Sequence, residues 1–286
     1  MATTGAKTRT ALAALLMLVA GGGVRADCIE LQGRAMQGGL VWGRVDPGSQ
    51  VTLDGAALDV LPDGTTFAGF GRDAAPAAEL VLRRGDAECR QTLAVAQRDY
   101  HIQRVEGVPQ QTVTPDPQHQ ARIARERRLV AAAKGQRHAR PEWLHPALGQ
   151  FRWPVTGPIS GVYGSQRFYN GVPRSPHYGV DVAVPTGTPV GAPGPGVITL
   201  AEPDLFFSGG TIILDHGYGL SSSFLHLSEV TVRVGQEVAA GEVIGAVGAT
   251  GRATGPHLDW RMSWRGERVD PQLLAPPMPA PVSGGG

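Results

Sequence analysis

The chain has 286 residues, of which 26 are Lys or Arg and 25 are Asp or Glu, so its formal net charge is +1 at pH 7. A net charge this close to zero gives no support to a nucleic-acid-binding protein. Forty glycines, 23 prolines and only 6% aromatic residues favour many short strands and tight turns, and so an all-β fold.

The first 26 residues have the three regions of a secretory signal peptide. Lys7 and Arg9 precede an apolar stretch from Ala11 to Ala20, and residues 24–26 lead to a small residue suited to cleavage. The apolar stretch is too short to cross a bilayer as a helix, and no other segment is long and apolar enough. We therefore expect residues 1–26 to be removed and the mature protein to be periplasmic or secreted, with no transmembrane segment.

Cys28 and Cys89 are the only two cysteines of the chain. The position of Cys28, just after the signal peptide, raises the alternative of a lipoprotein anchor. The preceding Arg25 and Asp27 are too polar and charged for that processing site. In an exported protein we expect instead one disulfide between Cys28 and Cys89.

Residues 27–105 are predicted to form a small β-domain. Segments rich in β-branched and apolar residues alternate there with turns that contain Gly, Pro or Asp, a spacing that favours an antiparallel, sandwich-like arrangement. The predicted strands are Leu40–Trp42, Gln50–Leu53, Thr65–Ala68, Glu79–Leu82 and Gln91–Val95. Because this region has no cluster of catalytic side chains, we expect a structural or substrate-positioning role for it.

Residues 106–145 are predicted to be a linker with a basic helix. A helix over Gln118–Ala133 is expected, with Asp116 as its cap and Pro117 in the first turn. Seven Lys or Arg residues lie between His119 and Arg140, against one acid. The simpler interpretation is a solvated linker helix; the alternative is a surface that meets anionic polymers of the cell envelope.

The chemistry-bearing side chains lie in the last third of the chain, within residues 146–275. Three runs carry them: S-P-H-Y-G-V-D-V-A with His177 and Asp181, S-S-F-L-H-L-S with His226, and G-P-H-L-D-W-R-M with His257 and Asp259. The spacing within each run is even, and side chains at even spacing share one face of a strand. We therefore expect one antiparallel β-domain whose groove presents ligands for a divalent metal and histidines that move protons. Residues 276–286 are expected to be a flexible tail.

These runs, together with V-G-Q-E-V-A-A-G-E-V-I-G-A-V-G-A-T-G, resemble the lysostaphin-like (LytM-type, M23 family) zinc metallopeptidases, which cleave peptidoglycan. The resemblance covers roughly 155–272 and is specific because several motifs agree in order and spacing. It implies a LytM-type groove domain and a zinc ion. The residues upstream resemble only loosely the β-rich leader domains of bacterial members.

The resemblance assigns roles position by position. His177 and Asp181 match the first two zinc ligands, and His257 matches a catalytic histidine beside the metal. His226 matches a histidine that faces the reacting centre without binding the ion; we expect it to donate to the oxyanion or to protonate the leaving amine, while His257 acts as the base. Asp259 stands where the family has its third ligand, a histidine.

Asp259 has two possible states. It can complete the zinc site through a carboxylate oxygen, with Arg261 orienting it from outside the ligand set. It can instead pair with Arg261 so that no metal binds, and the groove then keeps its shape without hydrolytic power. We expect the metal-binding state, because the other four site residues are all retained in the motifs.

The sequence therefore predicts an exported zinc metalloendopeptidase that hydrolyses peptide cross-links of peptidoglycan. The alternative is a catalytically degenerate relative that binds peptidoglycan or regulates another cell-wall hydrolase. A third interpretation, a biotinyl-type or adaptor hybrid barrel suggested by Val232–Gly245, lacks the lysine that a carrier needs.

Overall fold

The computed structural model describes residues 28–107 and 116–279. The predicted signal peptide lies outside the described residues, and so does most of the predicted tail, from residue 280 onward. No helix in the described part of the chain combines the length and the apolar character needed to cross a membrane.

The N-terminal part forms two antiparallel sheets. Its strands are β1 (Leu31–Gly33), β2 (Leu40–Arg44), β3 (Gln50–Leu53), β4 (Ala56–Ala57), β5 (Thr65–Gly69), β6 (Ala77–Arg84), β7 (Ala87–Ala94) and β8 (Ile102–Val105). One sheet has the order β1-β2-β5 and the other the order β4-β3-β6-β7. Apolar residues of both sheets, such as Phe67 and Leu80, belong to one core, so the predicted sandwich-like arrangement is confirmed.

The predicted disulfide is present between Cys28 and Cys89, across a sequence separation of 61 residues. It joins the first described residue to β7. A cross-link of this span restricts the unfolded chain, and disulfides of this kind typically contribute about 2–4 kcal/mol of stability.

The linker contains two helices, α1 (Gln120–Gly135) and α2 (Pro141–Leu144), with a short 3-10 turn (Pro117–His119) before α1. Asp116 caps the 3-10 turn, because its side chain accepts a hydrogen bond from the Gln118 N–H at 2.9 Å. Helix α1 itself starts after His119, whose side chain makes no capping hydrogen bond among the described residues. Helix α1 is not solvated on all sides: Ala133 packs in a small apolar cluster with Leu200 and Ile213 of the C-terminal part.

The C-terminal part is built on one large sheet. Its strands are β9 (Ile159–Gly161), β10 (Gln166–Tyr169), β11 (Val172–Pro173), β12 (Val180–Val182), β13 (Pro189–Gly191), β14 (Gly196–Leu205), β15 (Gly209–Asp215), β16 (Leu220–Leu227), β17 (Glu229–Val230), β18 (Glu237–Val238), β19 (Val243–Ala246), β20 (Leu258–Trp264) and β21 (Glu267–Val269). A 3-10 turn at Pro271–Leu273 follows. The large sheet has the order β18-β14-β15-β16-β20-β12-β9, with β21 paired to β20.

Two smaller sheets flank it. One has the order β13-β19-β17, and the other, β11-β10-β8, contains a strand from the N-terminal part, because β8 pairs in parallel with β10. On β20 the side chains alternate between the two faces of the large sheet. Trp260 and Trp264 lie in the main core, which leaves Asp259 and Arg261 for the opposite face.

A buried polar chain stabilises the turn between β15 and β16. Trp260 Nε1 donates to Ser222 Oγ at 3.3 Å, the Ser222 hydroxyl donates to His216 Nε2 at 2.8 Å, and His216 Nδ1 donates to the Pro195 carbonyl at 2.7 Å. Every nitrogen of the fully buried His216 is therefore satisfied in the neutral form. This agrees with a structural role for His216.

We predict that His216 makes the protein sensitive to acid. Burial lowers the pKa of His216 to about 4, below its value in the unfolded chain. As pH falls from about 6.5 to 4, the unfolded chain takes up a proton that the folded chain does not, so about 2–3 kcal/mol of stability, fully present above pH 6.5, is lost. Urea unfolding at pH 8 and pH 4.5 measures this loss.

The matched variant is His216→Gln, which does not titrate. Its free energy of unfolding is lower at pH 8, because the buried chain is altered, but it falls less on acidification than that of the unchanged protein. Equal pH dependence in the two proteins would contradict the assignment.

Candidate functional site

Two carboxylates face each other on neighbouring strands. In the antiparallel pairing of β12 with β20, Asp181 lies directly opposite Asp259. Both are buried, with 6% and 1% of their surface exposed. Like charges that are opposite and away from water are unfavourable, so this arrangement requires cations close by.

His177 reaches the two carboxylates from a segment that precedes β12. Its N–H donates to the Ser165 carbonyl and its carbonyl accepts from the Gly164 N–H, so its backbone is held by the loop after β9. The expectation that His177 and Asp181 share a strand face is therefore wrong, because the strand begins only at Val180. The two side chains nevertheless meet, with His177 Nε2 at 2.9 Å from Asp181 Oδ1.

The buried atoms of this cluster fit a divalent cation. Ligand atoms of His177, Asp181 and Asp259 all lie within 4.8 Å of one another. Within the described residues, neither ring nitrogen of His177 nor Asp181 Oδ1 makes a well-aligned hydrogen bond, although all three atoms are buried and His177 Nε2 is in contact with Asp181 Oδ1. Ligands of a tetrahedral zinc ion lie about 3.3 Å apart, and neutral imidazole with carboxylate oxygen is a donor set that zinc accepts.

Two arginines neutralise the carboxylates. Arg261 Nε lies 2.9 Å from Asp259 Oδ1, and Arg261 Nη2 lies 2.5 Å from Asp259 Oδ2. Arg167 Nη2 lies 2.5 Å from Asp181 Oδ2. Burial opposes ionisation of Asp259, but Arg261 and His177 hold its pKa well below the usual range. The pairing of Asp259 with Arg261 matches the second state expected for this residue.

The pairing still leaves Asp259 able to bind a cation. Its Oδ1 accepts one hydrogen bond, from Arg261 Nε, and a carboxylate oxygen has a second lone pair. Gly179 keeps the space beside Oδ1 open, because a Cβ at that position would lie 2.6 Å from this oxygen. Gly161 does the same beside Asp181, where a Cβ would lie 2.2 Å from Oδ2. The glycines are therefore part of the site.

His226 and His257 lie side by side at the edge of the carboxylate cluster, with ring centroids 4.9 Å apart. His257 Nε2 lies 4.0 Å from Asp181 Oδ1. His257 is in an isolated bridge to Gly248 just before β20, and His226 has a left-handed backbone (φ 65°) near the end of β16. A non-glycine residue in that conformation is strained, which is common at functional sites.

Backbone carbonyls select one tautomer for both histidines. His226 Nδ1 lies 2.8 Å from the Thr250 carbonyl, and His257 Nδ1 lies 2.8 Å from the Gly255 carbonyl. A carbonyl can only accept, so Nδ1 carries the proton and Nε2 of each neutral ring is an acceptor. Burial lowers the pKa of His226 to about 4, so this ring is neutral at pH 7.

These side chains line a cavity of about 290 Å³. It brings together Asp181, Asp259, His226 and His257, while His177 lies buried behind Asp181. Sequence reasoning missed two basic lining residues, Arg167 and Arg252, while Tyr169, which lies near the first ligand run in sequence and was expected to pack, also lines the cavity. The run Gln166–Tyr169 has two polar residues followed by two aromatic residues, without the alternation that predicts a strand. Nothing in the sequence pointed from this strand to Asp181.

Comparison with known proteins places the cluster in a family. Residues 175–271 match the description of peptidase family M23. A crystal structure of a Pseudomonas aeruginosa protein assigned to peptidase M23 is 31% identical with a TM-score of 0.62, and the match covers 84% of this chain and 95% of that one.

Two curated relatives match shorter stretches. The peptidoglycan DD-endopeptidase ShyA of Vibrio cholerae is 37% identical over 134 residues, 46% of this chain and 31% of the relative. The DD-carboxypeptidase/endopeptidase Mpg of Neisseria meningitidis is 42% identical over 103 residues, 36% of this chain and 24% of the relative. The chain thus spans less than a third of the length of these relatives.

We predict that Asp259→His increases zinc affinity by at least about tenfold, because an imidazole replaces a carboxylate whose lone pairs are shared with Arg261. Competition with a zinc chelator measures the affinity, and thermal unfolding checks that the variant is folded. Asp259→Ala is the matched variant and should weaken zinc binding. Unchanged affinity in Asp259→Ala would show that Asp259 is not a ligand.

Proposed function

The chain belongs to peptidase family M23, and from this premise we propose that it is an exported zinc metalloendopeptidase that hydrolyses peptide cross-links of peptidoglycan. The observation that carries the proposal is the set of buried ligand atoms of His177, Asp181 and Asp259 within 4.8 Å of one another. The similarity to a Vibrio cholerae peptidoglycan DD-endopeptidase supports the substrate class. The predicted signal peptide and the disulfide support export.

His177 Nε2, Asp181 Oδ1 and Asp259 Oδ1 are the atoms that would hold the zinc ion. What the ion supplies when bound is polarisation of the scissile carbonyl and activation of a water molecule. Arg167 donates to Asp181 Oδ2, and Arg261 donates to both oxygens of Asp259, which fixes the orientation of both carboxylates.

His257 is the proposed general base. Its Nε2 is unprotonated in the tautomer that the Gly255 carbonyl imposes. This nitrogen lies 4.0 Å from Asp181 Oδ1, close enough for one water molecule to contact both atoms. The ring is fixed in place through its Nδ1 proton, so its acceptor lone pair has a defined direction.

Of the two roles expected for His226 from sequence, we propose protonation of the leaving amine. A neutral ring whose Nδ1 donates to Thr250 has no proton on Nε2, so it cannot donate to an oxyanion in the resting state. His226 Nε2 accepts the proton that His257 has removed from the water and then delivers it to the nitrogen of the leaving amine, so that both rings return to the neutral form. The low pKa of this ring makes its protonated form a strong acid for that delivery.

A second candidate function is a catalytically degenerate protein that binds peptidoglycan or regulates another wall hydrolase. The observation that favours it is the bidentate ion pair of Arg261 with Asp259, the residue at the third ligand position. Elemental analysis of purified mature protein distinguishes the two candidates: close to one zinc per chain after reconstitution supports the peptidase, and less than about 0.2 supports the degenerate relative.

The direct test is digestion of purified sacculi by the mature protein, followed by chromatography of the released fragments. We expect a fall in the cross-linked fraction, abolished by a chelator and restored by zinc. His257→Gln should lower the rate by about 10²–10⁴-fold, because removal of a general base costs that much.

His101→Gln is the matched control, since His101 is exposed and lines no part of the cavity. Its rate should equal that of the unchanged protein. Digestion that survives complete zinc removal, or equal rates in His257→Gln and the control, would contradict the proposal.

A further inference from the structure

A second cavity of about 430 Å³ lies between α1 and the large sheet. It shares Phe207, Ser208, Leu225 and Arg261 with the cavity that holds the carboxylate cluster. The two cavities are therefore neighbours along one cleft, and a peptide seated in the first can extend into the second. The volume is within the range of small-ligand pockets.

Basic side chains dominate the walls of this second cavity. Arg268 projects into it from β21, where it pairs with Ser263 and so shares the face of β20 that carries Asp259 and Arg261. Lys134 reaches it from the last turn of α1. Arg261 and Arg127 complete the basic lining.

The acidic groups nearby are already engaged. Glu126, the acidic residue among those that line the cavity, accepts from Arg122 Nε at 2.6 Å and from the Phe206 N–H at 2.8 Å. Asp259 is bound to Arg261. The charges of Lys134 and Arg268 are therefore not neutralised by these carboxylates.

Lys134 and Arg268 are without partners within residues 28–107 and 116–279. Arg268 Nη1 is buried and has no hydrogen-bond partner, and no hydrogen bond or ion pair reaches Lys134 Nζ from those residues. Burial, with Arg268 and Arg261 nearby, lowers the pKa of Lys134 well below its usual value. A buried guanidinium N–H without an acceptor is costly, and an anion would remove that cost.

We propose that Lys134 and Arg268 form a subsite for a free carboxylate on the peptide that is cleaved at the neighbouring centre. The proposal rests on the proposed function for the identity of the peptide. A carboxylate fits because it accepts charge-assisted hydrogen bonds from an ammonium and a guanidinium at once. The subsite makes the protein selective for peptide stems with a free acid over stems in which that acid is an amide.

The experiment compares two forms of one cross-linked stem peptide, with its carboxyl groups free or converted to primary amides. The full mature protein with zinc is used, and kcat and KM are measured for each form. We expect kcat/KM to be about tenfold higher for the free acid, the factor typical of one hydrogen bond to a charged group.

Lys134→Met and Arg268→Met should each raise KM for the free acid by about tenfold and leave the amide unchanged. Lys134→Arg keeps the charge and should keep the preference. Arg125→Met is the control, because Arg125 is an exposed residue of the same helix that does not line the cavity. If Arg268→Met does not fold, as judged by thermal unfolding, the two Lys134 variants decide.

Equal kcat/KM for the two forms, or equal losses on both forms in Lys134→Met, would overturn the subsite while leaving the hydrolase intact. A loss in Arg125→Met as large as that in Lys134→Met would also overturn it, since it would indicate general attraction of anions, such as envelope polymers, to the helix. If the unchanged protein cleaves neither form, the proposed function fails. In that case the affinities of the free-acid and amide peptides, measured by calorimetry, test the subsite: tighter binding of the free acid supports it, and equal affinities overturn it.

Discussion

Two buried carboxylates that face each other determine which charged groups the rest of the site must contain. Asp181 and Asp259 are opposite residues of an antiparallel pair, so the separation of their Cα atoms is determined by the sheet. Desolvation and mutual repulsion both oppose their ionisation. Two ion pairs offset this cost: Arg167 with Asp181, and Arg261 with Asp259. Among the residues that the structure describes, His177 Nε2 and Asp181 Oδ1 remain without a well-aligned hydrogen bond.

This charge arrangement differs from that of a site with two histidines and one carboxylate. Here the two carboxylates match the charge of a divalent ion, and the two arginines then add positive charge around it. Positive charge beside a reacting carbonyl favours the developing oxyanion, and it also favours substrates with acidic groups. Lys134 and Arg268 line the adjoining cavity, so basic side chains continue along the cleft.

Strand β8 and helix α1, which precede the matched family region, contribute to the cleft. Strand β8 joins β10 in parallel pairing, and β10 carries Arg167 to Asp181. Helix α1 closes one side of the second cavity through Ala133 and supplies Lys134. Residues that precede the matched family region thus shape the surroundings of the carboxylates.

The N-terminal strands and the site motifs could be predicted from the amino-acid sequence alone. The turn residues and short β-branched segments were enough to predict the N-terminal strands, and the motifs around His177, His226 and His257 were enough to predict the site, because the identities of ligands and turn residues are local properties. The even spacing of Asp259 and Arg261 also predicted correctly that both lie on one face of β20, behind which Trp260 is packed.

Other features depended on tertiary structure. His177 sits outside the strand because its backbone pairs with the Gly164–Ser165 segment, a contact that no periodicity reveals. The tautomer of His226 follows from the carbonyl of Thr250, 24 residues away in the chain. The ion pair of Arg167 with Asp181 joins β10 to β12, two strands that no sequence pattern relates to each other. Sequence determined which chemical groups are present and on which strands; only the three-dimensional pairing decided which charges meet, because electrostatic and hydrogen-bond energies depend on distances between segments that the order of residues does not contain.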